Sequence, residues 1–459
     1  MNAWRRSTAW AQLWKTLSRW QRCCLCALLG YSVLHVGYSI YQYNPFVFEA
    51  SGGDFRATFQ GVLDWRRSGS FAAVGGPSNA VYYPPLFYVL LWPLTTVSWA
   101  TAARLCYLAQ WFPLYAAVVW VVKAAAGRQQ PTLLAYLAGL MLTVNFQPFL
   151  ATVAQYKIET FEFVLICGAI YALHRRRDVL AGAAIALAAH LKYLPGILVG
   201  YFLLTRERKV LLGVLLGALL VLAVLLPILG PRTLWAFLIE HPLRLLFNSG
   251  VEFNRFDASP ERQTLGGTIY RWFGVVTPPN TFEYQLRIGI APLSHPRLAA
   301  GIARAAKLLA VGWYLWFITR RRWQTAERAT RWPLLLYEIS LTLLMIFVVT
   351  QGARVHYAIL VLPAFVLTGL LLLQGWRQFR WPEKVLFFAA YSLSGWLIPG
   401  GLLDRLPPSP VWGRAYANFY LWLSLPFYGF VLLGLCIVLC YRRVLEWQKR
   451  TLDQTRRPG

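Results

Sequence analysis

The sequence is that of an all-α polytopic membrane protein. Hydrophobic residues fill 58% of its 459 positions and charged residues only 14%, where a soluble domain carries about 25%. Mean hydropathy is +0.47. Apolar runs of about 17–25 residues recur from end to end, each long enough to cross a hydrocarbon core of about 30 Å. The 21 Trp and 24 Tyr suit a chain with much membrane–water boundary, where these amphipathic rings settle.

A net charge of +27 invites a nucleic-acid reading, but the charges stand in the wrong places for it. Lys and Arg cluster beside apolar runs: Arg5, Arg6, Lys15, Arg19 and Arg22; Arg175–Arg177; Arg206, Arg208 and Lys209; Arg320–Arg322; Arg377, Arg380 and Lys384; and a C-terminal run through Arg457. Such clusters set orientation by the positive-inside rule and touch anionic lipid headgroups. Membrane lipids, not nucleic acid, are the expected partners. The seven cysteines, at 23, 24, 26, 106, 167, 436 and 440, all lie in apolar runs. No disulfide framework, metal site or cofactor is expected.

Each element follows from these clusters. A basic segment, 1–22, stays inside. The first span, 23–41, has no small-residue cleavage site and is followed by further spans, so it reads as retained rather than as a signal peptide. A polar stretch, 42–85, emerges outside. Residues 86–98 are apolar but short and border or contain Pro84, Pro85 and Pro93, so a dipping or re-entrant piece is expected. Spans follow at 100–122, 132–150 and 159–173.

Between Arg175–Arg177 and Arg206–Lys209 the chain must cross twice, which two half-length helices meeting at a Lys192–Pro195 break would satisfy. A span at 210–229 leads to a second large outer segment, 230–298. Spans at 299–319, 333–350, 357–374, 385–401 and 417–441 complete about twelve crossings in one transmembrane domain, 23–441. A basic tail, 442–459, lies inside. This topology gathers Asp54, the Gln155–Lys157 turn, Lys192, the 230–298 loop and His356 on the outer face of a cell membrane, facing the periplasm or the exterior.

The chain holds only 18 Asp and Glu, so an acid among glycines in a loop, Gly52-Gly53-Asp54-Phe55, stands out. Desolvation would make Asp54 a stronger proton acceptor. The plainer alternative is a cap for a short interfacial helix with Phe55 and Phe59 toward the membrane. Asp64, beside Arg66 and Arg67, reads as a surface ion pair.

Lys192 sits in an apolar stretch, where an ionisable group is costly and by default functional. A compact ammonium suits a phosphate, and snorkelling to headgroups is the competing reading. Arg354 and His356 could bind an anionic leaving group; headgroup contact is the alternative for Arg354. Lys157 and Glu159 could pair across one turn, while Glu162 and Glu338 are embedded acids with no partner in sequence. Arg262-Gln263-Thr264-Leu265-Gly266-Gly267, with Arg271 beyond, is a weak anion-nest pattern, and an ordinary loop turn is the favoured reading.

No DxD, HExxH, Walker or GxSxG motif occurs in a suitable context. One base and several cations suit displacement of a phosphate from a lipid-linked donor. A transporter or flippase of a lipid-linked saccharide is the alternative from another class. It should show inverted repeats and helices broken at mid-membrane. A non-catalytic scaffold subunit is a third.

Together these segments resemble glycosyltransferase family 87, the polyprenol-phosphate-mannose-dependent mannosyltransferases of the GT-C superfamily, from about residue 45 to 375. The matching pieces are Gly53-Asp54-Phe55, Tyr82-Tyr83-Pro84-Pro85-Leu86, Lys192-Tyr193-Leu194-Pro195, Gln263-Thr264-Leu265-x-Gly267, and His356-Tyr357 leading to Leu362-Pro363. The resemblance implies Asp54 as general base, with His356 and Lys192 at the donor phosphate and Arg354, Gln155, Gln263, Thr264, Arg271 and Tyr83 as further substrate-binding candidates. It implies inverting transfer at the outer leaflet without a metal, from a polyprenyl-phosphate sugar to a glycolipid or cell-envelope glycan. Ala154-Gln155 replaces the usual Gly-Gln, and Thr264 stands where Ser is common. Mannose is the implied sugar; arabinofuranose or another polyprenyl-linked sugar stays open.

Overall fold

A computed structural model describes residues 14, 17–42, 45–46, 53–71, 74, 83–127, 129–240, 263–273, 296–322, 331–350, 353–395 and 423–455. Most of the outer segment 230–298, Tyr82, Arg262, the stretch 396–422, most of the N-terminal basic segment and the end of the tail lie outside the described residues.

Every regular element among the described residues is helical. In order these are α1 (Arg19–Gln42), α2 (Gly53–Ser68), α3 (Pro85–Leu91, with a 3-10 turn Trp92–Thr96), α4 (Trp99–Ala126), α5 (Leu133–Val144), α6 (Gln147–Ala154), α7 (Glu159–His174), α8 (Asp178–Leu191) and α9 (Ile197–Leu204). Then come α10 (Arg208–Trp235), α11 (Leu265–Phe273), α12 (Pro296–Arg322), α13 (Trp332–Leu344, continued by Ile346–Val349), a 3-10 turn Val355–Val361, α14 (Leu362–Gln374), α15 (Trp381–Gly395) and α16 (Leu425–Thr455).

Local chemistry sets many of the ends. Ser98 caps α4 by accepting from the Thr101 N–H, and Thr132 caps α5 by accepting from that of Ala135; each satisfies an otherwise orphaned donor. Pro85, Pro148, Pro333 and Pro363 sit in first turns, where the missing N–H costs nothing.

Six helical stretches are long and apolar enough to cross a membrane: Trp99–Ala126, Arg208–Trp235, Leu298–Arg320, Trp332–Val349, Val355–Gln374 and Leu425–Trp447. A seventh follows if Leu133–Val144 and Gln147–Val153 count as one span, bent by 67°. The chain is a polytopic helical membrane protein, but among the described residues this falls short of the twelve crossings expected. The difference lies in short elements. Leu25–Tyr38, Glu159–His174, Asp178–Leu191 and Leu194–Leu204 stand where crossings were expected but are brief, since a 14-residue helix reaches only about 21 Å, and the expected span 385–401 runs beyond the described residues after Gly395. The expected straight span 132–150 is instead the bent pair α5–α6, broken at Asn145-Phe146. The Lys192–Pro195 break between two half-length helices is present as expected.

Packing is closest where side chains are smallest. A Cβ added to Gly182 on α8 would lie 1.9 Å from the Val210 carbonyl oxygen on α10, and one on Gly213 2.0 Å from that of Val179. Gly213 and Gly217 thus form a small-residue face that lets α10 and α8 meet backbone to backbone. Two buried polar knots lock other helices. Glu338 on α13 accepts from Tyr201 Oη at 2.6 Å, Tyr441 Oη at 2.9 Å and Arg331 Nη2 at 3.2 Å. It joins α9 and α16 to α13, and so has the partners its local sequence lacks. On α1, His35 Nε2 lies 3.0 Å from Gln147 Oε1, while Asn145 Nδ2 donates to Ser32 Oγ at 2.7 Å. That knot sits on the α5–α6 break.

Candidate functional site

The site forms where three chain breaks meet. The first ends α8: Lys192 takes an extended backbone, φ −157° and ψ 141°, and Pro195 restricts continuation of the helix. The second is the turn between α6 and α7, where Tyr156 adopts φ 55°. The third is the 3-10 turn that carries His356 and Tyr357 into α14.

Lys192 is buried and its Nζ donates to Glu159 Oε1 at 2.5 Å. Burial rules out snorkelling to headgroups. The ammonium also stands 3.8 Å from the Tyr357 ring centroid and 5.0 Å from that of Tyr83, a cation–π setting in place of water. His356 Nε2 lies 3.3 Å from the same Glu159 Oε1. Lys157 Nζ approaches the His356 ring at 3.3 Å from Nε2 and 3.4 Å from Nδ1. The carbonyl of His356 accepts from Thr152 Oγ on α6 at 3.2 Å. Glu159 thus reaches Lys192, 33 positions along the chain, where local spacing had offered it Lys157. It stands in the first turn of α7, where the helix dipole favours an acid.

One helical turn on, Glu162 is fully buried, and neither of its carboxyl oxygens has a hydrogen-bond partner among the described residues. Glu159 Oε2 is likewise without one.

Asp54 lies in the first turn of α2, not in a loop, and its side chain lies outside the described residues. Its neighbour Phe55 packs against Trp99, 5.5 Å between ring centroids, and Tyr156, 5.9 Å. Phe55 and Phe59 are buried in the protein rather than turned to the membrane. The backbone of Asp54 is thereby fixed next to the turn that carries Lys157. Asp64 accepts from Gln60, and Arg66 donates to the Thr95 carbonyl at 2.9 Å, so the expected Asp64–Arg66 pair is replaced. Arg66 tethers α2 to the turn after α3.

The Gln263 N–H donates to the Ala353 carbonyl at 3.2 Å, which sets the start of α11 beside Arg354, itself half-buried at the head of the His356 turn. Thr264 Oγ accepts the Gly267 N–H at 3.0 Å, so that N–H serves a helix cap rather than an anion nest. Arg271 is buried and donates from Nε and Nη2 to Ser424 Oγ at 3.0 and 2.7 Å. Burial pushes its guanidinium down to about 9, still charged at neutral pH. Gln155 is exposed at the end of α6.

Three features of the site go beyond the sequence expectations: the partner of Glu159, the tyrosine face of Tyr357, and Thr152. A usable signal existed for the first. A buried acid at the start of an apolar helix has to find a cation, and Lys192 is the unusual cation of the neighbouring apolar run.

Residues 82–283 match the family model described as Glycosyltransferase family 87. The matched stretch contains Tyr83, Gln155, Lys157, Glu159, Lys192 and Gln263–Arg271, while Asp54, Arg354 and His356 fall outside it. No curated protein and no solved structure matches the chain.

Proposed function

We propose that the chain, whose residues 82–283 match the model of glycosyltransferase family 87, works as a member of that family and transfers a sugar, mannose in the first instance, from a polyprenyl-phosphate donor to a glycolipid or cell-envelope glycan. The transfer takes place at the outer face of the cell membrane. The observation that carries this reading is the convergence of Lys192 Nζ and His356 Nε2 on one buried oxygen. Two donors held around a common point in a water-poor site suit a phosphate that gains charge as it leaves.

In the proposed step the Asp54 carboxylate takes the proton of the acceptor hydroxyl. The acceptor oxygen bonds to the anomeric carbon from the face opposite the phosphate, and the bond from that carbon to the phosphate oxygen breaks. The electron pair leaves with the polyprenyl phosphate, whose oxygens take hydrogen bonds from Lys192, with His356 beside it on the shared Glu159. A single displacement inverts the anomeric centre and needs one base. Arg354, Tyr83, Gln155, Gln263, Thr264 and Arg271 are assigned to the surrounding substrate contacts.

The test is turnover of labelled polyprenyl-phosphate mannose by purified protein with membrane lipid extract. Asp54→Asn should slow transfer by about 100-fold or more while leaving donor binding in place. Transfer by Asp54→Asn at the native rate would remove Asp54 from the role of base. Movement of donor across vesicles with no transfer would replace the enzyme reading with a flippase.

A further inference from the structure

We propose that Glu159 is a positioning residue for this transfer, a role that rests on the donor-phosphate reading above. It acts through Lys192 and His356 rather than on the sugar or the acceptor. Those two groups come from distant parts of the chain, the α8–α9 break and the turn before α14. The atom they share is Glu159 Oε1, 2.5 Å from one and 3.3 Å from the other. Glu159 is fully buried, and a lost partner at a buried polar group is expensive.

The comparison with Glu338 separates this role from a purely architectural one. Glu338 uses both oxygens, bonded to two tyrosines and an arginine that belong to no site. Glu159 uses one oxygen, and its partners are the two groups assigned to the phosphate. Its Oε2 has no hydrogen-bond partner among the described residues. The carboxylate therefore works as a pivot for two donors, presenting them as one preassembled pair. Preassembly matters because donors that need not reorganise act more strongly on developing charge.

The test is a double-mutant cycle read by binding of polyprenyl phosphate in detergent micelles. Glu159→Gln keeps the shape and an acceptor oxygen but removes the charge; Lys192→Met removes the ammonium. Each single variant should weaken binding by about tenfold or more, with the double variant no more than about threefold worse than Lys192→Met alone, because partners in one network are not additive. A merely structural Glu159 would lower the unfolding temperature of Glu159→Gln and leave binding by the folded protein at the native level.

Multiplicative losses alongside an effective Lys192→Met overturn the role of Glu159 alone. So does tighter or native binding by Glu159→Gln. Native binding by Lys192→Met overturns the donor-phosphate reading and this role with it. Should Glu159→Gln not fold, Glu159→Asp keeps the charge and retracts it by one methylene. It should weaken binding in the same non-additive way.

Discussion

Lys192 and Tyr357 meet face to face, the ammonium 3.8 Å from the ring centroid. The tyrosine supplies a negative π face where water would otherwise stand, and such a desolvated contact is worth up to about 2 kcal/mol. Tyr357→Phe should keep donor binding near the native level. Tyr357→Leu should weaken it by about tenfold, with titration of polyprenyl phosphate as the measurement. Equal losses in both variants would assign the hydroxyl, not the ring.

The Lys192–Glu159 pair is fully inside the protein, and breaking such a pair leaves one charge uncompensated. Lys192→Met should cost about 3–5 kcal/mol of stability, seen as an earlier unfolding transition in detergent. Adding Glu159→Gln should recover part of that loss, because the orphaned charge goes with it.

The meeting of α8 and α10 leaves no room for a side chain at Gly182, where an added Cβ would lie 1.9 Å from a carbonyl oxygen. Gly182→Ala should destabilise by about 1–3 kcal/mol through forced separation of the helices. Gly200, with nothing within 4 Å of its added Cβ, is the control: Gly200→Ala should unfold at the native temperature or slightly above.

His35 ties α1 to Asn145 and Gln147 at the α5–α6 break. His35→Leu keeps bulk but strips both amides of this partner, at a cost of about 1–3 kcal/mol. Thermal unfolding should show it. His35→Gln, which can still hydrogen-bond, should lose less.

The parts of this site that were legible in the sequence were those where a residue type is out of place. Lys192 in an apolar run, the Lys-Pro break between two half-length helices and the Arg354–His356 turn could each be found from local cost alone. The partner of Glu159 was missed despite its signal, because Lys157 stood two residues away as an apparent partner while Lys192 lay 33 positions on. The break at Asn145-Phe146 was hidden for a different reason. Residues 132–150 are apolar enough to read as one span, and the polar side chains that mark the bend are satisfied by α1, which no local pattern reveals. Pro148 was the one breaker in view. Asp54 was found as a scarce acid, but its helix was not, since Gly52-Gly53 reads as a turn.

The 67° bend between α5 and α6 makes α6 a lever. Eight residues long, it extends about 12 Å, so its far end stands about 11 Å to the side of the line a straight helix would follow. That sideways reach is what brings Thr152 to the carbonyl of His356. Length in such an arm cannot drift. One residue more or fewer would turn its tip by about 100° and shift it by about 1.5 Å, swinging the threonine off the histidine. The arm should therefore accept changes of residue type on its outer side far more readily than any insertion or deletion.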